Sequence, residues 1–147
     1  MRKLVFLKKL NVLLLFDQLF GEGCHTFEQN FHFGEGEVSL EGSALTVQRT
    51  AEHFNWFVTA LHLMPDACTA PMHAELLPVS KLRAGAALTD AQAQAVRVTV
   101  GEKTCVVLLC HSEVISEVDL LSAGGYSGYG KVLIFDPAHP HGLCHAW

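Results

Sequence analysis

The sequence predicts an all-β fold: an antiparallel β-sandwich, complete or incomplete, of about nine or ten short strands. Three observations point there. Apolar and polar residues alternate with a period of two rather than 3.6. Turn-forming clusters of Gly, Pro, Asn and Asp recur at roughly ten-residue spacing. Half of the 147 residues are apolar and only 17% are charged, so one domain spanning residues 1–147 can bury a substantial core.

The elements follow in chain order. Lys3 to Lys8 and Val12 to Asp17 are short apolar runs, each a strand, joined tightly at Leu10-Asn11. Gly21-Glu22-Gly23 supplies a turn. From His25 the chain alternates: His25, Phe27, Gln29, Phe31 and Phe33 share one face, and Thr26, Glu28, Asn30 and His32 the other. Phe27, Phe31, Phe33 and, further on, Phe57 are expected in the core, with Glu28 and Asn30 outside. Val38 to Leu40 and Ala44 to Arg49 form a hairpin around Glu41-Gly42-Ser43. The run FNWFVTALHLM, Phe54 to Met64, is a long strand ended by Pro65 and Asp66. Ala67 to Ala95 carries the weakest pattern and reads as loop plus one strand, with a short helix from Thr89 as the alternative. Val96 to Val100 and Cys105 to Cys110 flank a Gly101-Glu102-Lys103 turn. Val114 to Leu120 and Lys131 to Phe135 read as the last strands.

Composition excludes several classes. A formal charge of −5 disfavours nucleic acid, which is bound through clustered basic surface. Arg2, Lys3, Lys8 and Lys9 are the one dense basic group, a solvated strand face or a contact for an anionic sugar. Five cysteines without a CxxC pair fit buried free thiols better than disulfides or a zinc ribbon. Lys8 and Lys9 interrupt the first apolar run, so it makes a poor signal peptide. No stretch reaches the roughly 20 apolar residues of a membrane span.

Candidate chemistry is sparse. His139, His141, Cys144 and His145 are zinc-type residues, but their spacing matches no closed site. His25 and His32 point to opposite faces of one strand, so without a bulge they cannot serve one cleft as an acid–base pair. Gly124-Gly125-Tyr126-Ser127-Gly128 is not a nucleophile elbow, and it reads better as a hairpin loop. There is no phosphate loop and no dinucleotide fingerprint. Trp56, Tyr126 and Tyr129 are the candidate sugar-stacking rings. With His25 and His32 they make up the candidate substrate-binding set; no catalytic and no metal residue is assigned.

Two motifs resemble a known family. Asp17, Leu19, Gly21, Gly23 and His25 form a DxLxGxGxH turn, and Glu28, Gln29, Phe31, His32 and Phe33 an EQxFHF strand. Both are similar to the C-terminal β-sheet region of heparinase II/III-like polysaccharide lyases. Ala123-Gly124-Gly125 followed by Lys131-Val132-Leu133-Ile134-Phe135 resembles that family's terminal glycine turn and strand. The resemblance covers the two ends of the chain and little of its middle.

The resemblance implies a β-sandwich that partners a helical toroid domain in a longer, periplasmic or secreted protein. Such proteins cleave acidic polysaccharides by β-elimination, using a base and an acid. The family's catalytic groups lie mainly in the toroid, and its zinc ligands in HxxxD, DxG and HN segments of earlier strands; no DxG and no HN segment occurs here, so that set is not present. None of those roles therefore carries over to this chain, and no cofactor is expected in it. The expected function is the β-sandwich portion of such a lyase, without catalysis of its own; the alternative is a stand-alone carbohydrate-binding module. A sandwich separated from its other strands is also expected to self-associate through unpaired strand edges.

Overall fold

The computed structural model describes residues 1–20, 54–63, 70–139 and 143–146. These residues hold twelve strands and one six-residue helix, in three antiparallel sheets. The fold is all-β and sandwich-like, as the periodicity predicts. The strand at His25 to Phe33, the following hairpin, and with them Phe27, Phe31 and Phe33, lie outside the described residues.

The first sheet is a meander of β1 (Arg2–Leu7), β2 (Val12–Phe20) and β3 (Phe54–His62). Asn11 closes the first hairpin with a positive φ of 52°, a conformation Asn tolerates better than most residues. Strand alternation sends Lys3, Val5 and Leu7 inward and Arg2, Leu4 and Phe6 outward. Val12, Leu14 and Phe16 of β2 continue the inner face and are fully buried.

The middle sheet has five strands in the order β12-β11-β8-β7-β4: β4 (Met72–Leu77), β7 (Ala93–Val100), β8 (Lys103–Cys110), β11 (Val132–Phe135) and β12 (Leu143–Ala146). It is covered on both faces. Val96, Val98, Val100, Cys105, Val107 and Leu109 pack against the inner face of the first sheet. Ala93, Ala95, Val106, Leu108, Cys110, Leu133 and Phe135 pack the other way, on Val79, Leu121 and Ala123. Two-sided burial is why β8 reads as the unbroken run CVVLLC rather than as an alternation. Each of its large side chains contributes about 1.5–3 kcal/mol of transfer free energy.

The third sheet is small, with the order β10-β9-β5-β6: β5 (Ser80–Lys81), β6 (Ala86–Ala87), β9 (Leu121–Ala123) and β10 (Tyr126–Gly128). Gly124 and Gly125, at φ 59° and 88°, make the β9–β10 turn, so the glycine-rich segment is a hairpin loop.

Four readings are corrected. Val114 to Leu120 is not a strand: α1 (Glu113–Val118) occupies it. Ser112 caps the helix by accepting a hydrogen bond from the Ile115 amide at 3.4 Å, and Glu113 provides the favourable first-turn acid. Ile115 then turns to the core while Val114 and Val118 stay exposed. The strand number exceeds ten because the weakly patterned middle holds β4, β5, β6 and the start of β7. Thr89 starts no helix; its amide and hydroxyl bond the Gln92 side chain in a turn that leads into β7. Phe57 is half-buried rather than core, because its register partner Asp17 lies on the outer face of the first sheet.

Candidate functional site

The densest polar arrangement among the described residues sits at one end of the seam between the first and middle sheets. Four separate segments build it. Lys3, the inward residue near the start of β1, stands opposite Phe16. Trp56 lies near the start of β3, opposite Gln18. Gln94 projects from β7 on the Val96 side and is buried. His111 follows β8 by one residue, so alternation from Leu109 turns it into the same seam, where its amide donates to the Gln92 carbonyl at 2.8 Å.

The imidazole of His111 stacks on the indole of Trp56, with ring centroids 4.6 Å apart and planes at 24°. Lys3 Nζ stands 3.4 Å from Nδ1, and Gln94 Oε1 stands 3.2 Å from Nε2. An ammonium has only protons to give, so Nδ1 accepts; Nε2 then carries the ring proton and donates to Gln94. Burial, and secondly the Lys3 charge, push the His111 pKa down to about 4. Burial likewise lowers the Lys3 pKa, with Lys131 adding to the effect and Cys110 opposing it.

A neutral imidazole with both nitrogens occupied and one face stacked has no free lone pair for a substrate proton. A base with a pKa near 4 is also poorly matched to proton abstraction at neutral pH. What the arrangement does is tie β1, β3, β7 and the end of β8 together across two layers.

The opposite end of the same seam opens into a cavity of about 470 Å³, lined by Lys9, Leu10, Lys103, Cys105, Asp136 and Pro137 among others. Lys9 reaches Asp136 at 2.8 Å, and the Ala138 amide donates to the same carboxylate at 2.9 Å. Those two contacts hold the Asp136 pKa below the usual carboxylate value. The wall combines an engaged ion pair with apolar side chains.

Among the described residues, Trp56 and Tyr126 do not converge. Trp56 is spent on His111, on the first-sheet side of the middle sheet. Tyr126 is half-buried on the opposite side, stacked on Phe135 at 5.2 Å. Tyr129 follows β10 and keeps 44% of its surface exposed. His25 and His32 lie outside the described residues, as does His141. His139 is half-buried, and its amide donates to the Asp136 carbonyl. Among the described residues no three His, Cys, Asp or Glu side chains gather as a metal site. Cys105 and Cys110 are buried free thiols. Of the basic N-terminal group, Arg2, Lys3 and Lys9 are each engaged within the fold. No helix among the described residues is long and apolar enough to cross a membrane.

The signal for His111 was a histidine directly after an unbroken apolar strand, with the parity of Leu109. Neither it nor Gln94 stands in any local motif. Searches against family models, curated proteins and solved structures return no match for this chain.

Proposed function

We propose that this chain is the C-terminal β-sheet portion of a heparinase II/III-like polysaccharide lyase, a scaffold that works with a helical toroid domain and does not itself break glycosidic bonds. The supporting observation is Asp17, the first residue of the DxLxGxGxH turn. It is 5% exposed and clamped by Arg2, with Nε 2.6 Å from one carboxylate oxygen and Nη2 2.9 Å from the other. A two-pronged guanidinium contact on a buried carboxylate fixes the strand end from which the motif departs. In this reading the motif marks how the sheet is built rather than where substrate reacts. β-Elimination also needs a base, an acid and neutralisation of a uronic carboxylate around one sugar ring. The parent family supplies these largely from its toroid.

The test is incubation of the purified chain with heparin, heparan sulfate or alginate, followed by absorbance of the unsaturated product. The expected result is a rate equal to buffer, against a full-length lyase as positive control. Product formation that His25→Ala, His32→Ala or Tyr126→Phe abolishes would overturn the scaffold reading. Retention on an immobilised acidic glycan, lost in Tyr129→Ala, would favour the carbohydrate-binding alternative.

A further inference from the structure

β4 closes one side of the middle sheet, and β7 is its only partner strand among the described residues. His73, Ala74, Glu75 and Leu76 are all exposed, so the middle of the strand stands clear on both faces, while Met72 and Leu77 at its ends pack on the flanking cores. Leu76 keeps 60% of its surface in solvent. The register with β7 runs unbroken from Met72 to Leu77, and the strand holds no proline and no lysine. Natural edge strands are usually blunted by bulges, prolines, lysines or a covering element. Between its bounding prolines, Pro71 and Pro78, β4 has no bulge, proline or lysine, and no other strand or helix among the described residues covers its outer edge, which presents a regular row of backbone donors and acceptors.

We propose that β4 pairs with β4 of a second copy of this chain, antiparallel, about a twofold axis through Ala74. The backbone groups that point away from β7 come from every second residue, and the same set points outward in both copies. Opposing residues must therefore share parity, which puts the axis through a residue and not between two. Ala74 and Glu75 are the two centres that keep most of the strand overlapped. Centring on Glu75 sets that carboxylate against its own copy, a destabilising like-charge pair.

Centring on Ala74 gives complementary neighbours throughout. His73 faces Glu75 of the second copy, and Glu75 faces its His73. Met72 and Leu76 face each other in the same reciprocal way, and two small alanines meet at the axis. Glu75 already holds Arg97 at 2.6 Å, so the new pair extends an existing polar row. Ala74 shares its face with Val98, the face toward the first sheet, so the Met72–Leu76 contacts prolong an apolar layer. A single added strand pair buries less than the roughly 1,600 Å² of a standard interface, so the dimer is weak and concentration-dependent. This inference stands apart from the lyase reading.

The experiment is sedimentation equilibrium of the whole chain over about a hundredfold concentration range, with urea unfolding of each variant as the folding control. Wild type should follow a monomer–dimer curve. His73→Glu creates two carboxylate pairs and should raise the dissociation constant about tenfold. The exchanged double variant His73→Glu/Glu75→His should recover most of the loss. Leu76→Lys should also dissociate the dimer, and it decides the matter if His73→Glu does not fold. A monomer at every concentration, a dimer that neither single variant weakens, or a double variant no tighter than His73→Glu would each overturn the proposal.

Discussion

Acidifying the protein from pH 7 to pH 4 should loosen the tie between the first and middle sheets, and His111 sets the size of the effect. Burial and Lys3 hold its pKa at about 4, against an ordinary value of 6.5. Between those two values the unfolded chain binds the ring proton and the folded chain does not, so stability falls as pH falls. The loss begins as pH drops below 6.5 and is complete below about 4; at neutral pH there is none. A shift of that size corresponds to about 3 kcal/mol at full strength. The ring is only half-buried, and solvent screening reduces the expectation to about 1–2 kcal/mol. His111→Gln isolates the term, because an amide can still donate to Gln94 but does not titrate. Urea unfolding of both proteins at pH 7, 6, 5 and 4 gives two stability curves. Carboxylates with lowered pKa, such as Asp136, titrate below this window and are common to both proteins. The wild-type curve should drop further than the variant's by about 1–2 kcal/mol across the window. Parallel curves would show that the neighbours do not hold the ring neutral, and the argument would fail.

Three further outcomes can be checked by chemical denaturation. Leu108→Ala and Leu109→Ala should each cost about 2–5 kcal/mol, because both side chains are fully buried on opposite faces of the middle sheet; a small loss for either would contradict the three-layer stack. Gly124→Ala and Gly85→Ala should each cost about 1 kcal/mol from backbone strain, because φ is near +60° at both. At Gly124 the added Cβ would lie 2.8 Å from Leu77 Cδ1 and 3.1 Å from Arg97 Nη2, the ends of flexible side chains that can move aside, and at Gly85 nothing lies within 4 Å. A loss at Gly124 several times that at Gly85 would show that those two side chains are held in place. Asp136→Ala should cost about 1–3 kcal/mol, since it frees the Ala138 amide as well as Lys9, while Lys9→Met should cost under about 1 kcal/mol because that ammonium is largely exposed. The Asp136 contribution should disappear as pH falls through its lowered pKa.

The β architecture was legible where period and turn chemistry agreed. β1, β2, β3 and the β7–β8 hairpin fall close to their predicted places, and the β1–β2 and β7–β8 turns hold Asn11 and Gly101 where positive φ is required, at 52° and 58°. α1 was not legible, since Val114 to Leu120 is too short for its period to separate helix from strand. The deciding information is the Ser112 cap, a single polar residue ahead of an apolar run. The third layer was hidden for a related reason. An unbroken run such as CVVLLC is consistent with burial on two faces, but nothing in it names the layer that covers the second one. The candidate site was the least legible part. Lys3 and His111 lie 108 residues apart and meet only because register places both in one seam.

The basic N-terminal group shows why a cluster in sequence need not be a cluster in space. Arg2 and Lys3 are adjacent, so strand alternation puts them on opposite faces of β1. Arg2 is drawn to Asp17 on the outer face, and Lys3 to His111 in the inner seam. Lys9 lies beyond the end of β1, in the turn, and reaches Asp136 at the far end of the same seam. Four basic residues within eight positions thus serve three different structural contacts, with Lys8 left exposed. A polyanionic sugar bound through Arg2 or Lys3 would have to displace Arg2 from a buried carboxylate or Lys3 from a stacked histidine. Either exchange strands a polar group that is already desolvated, at about 1–3 kcal/mol each.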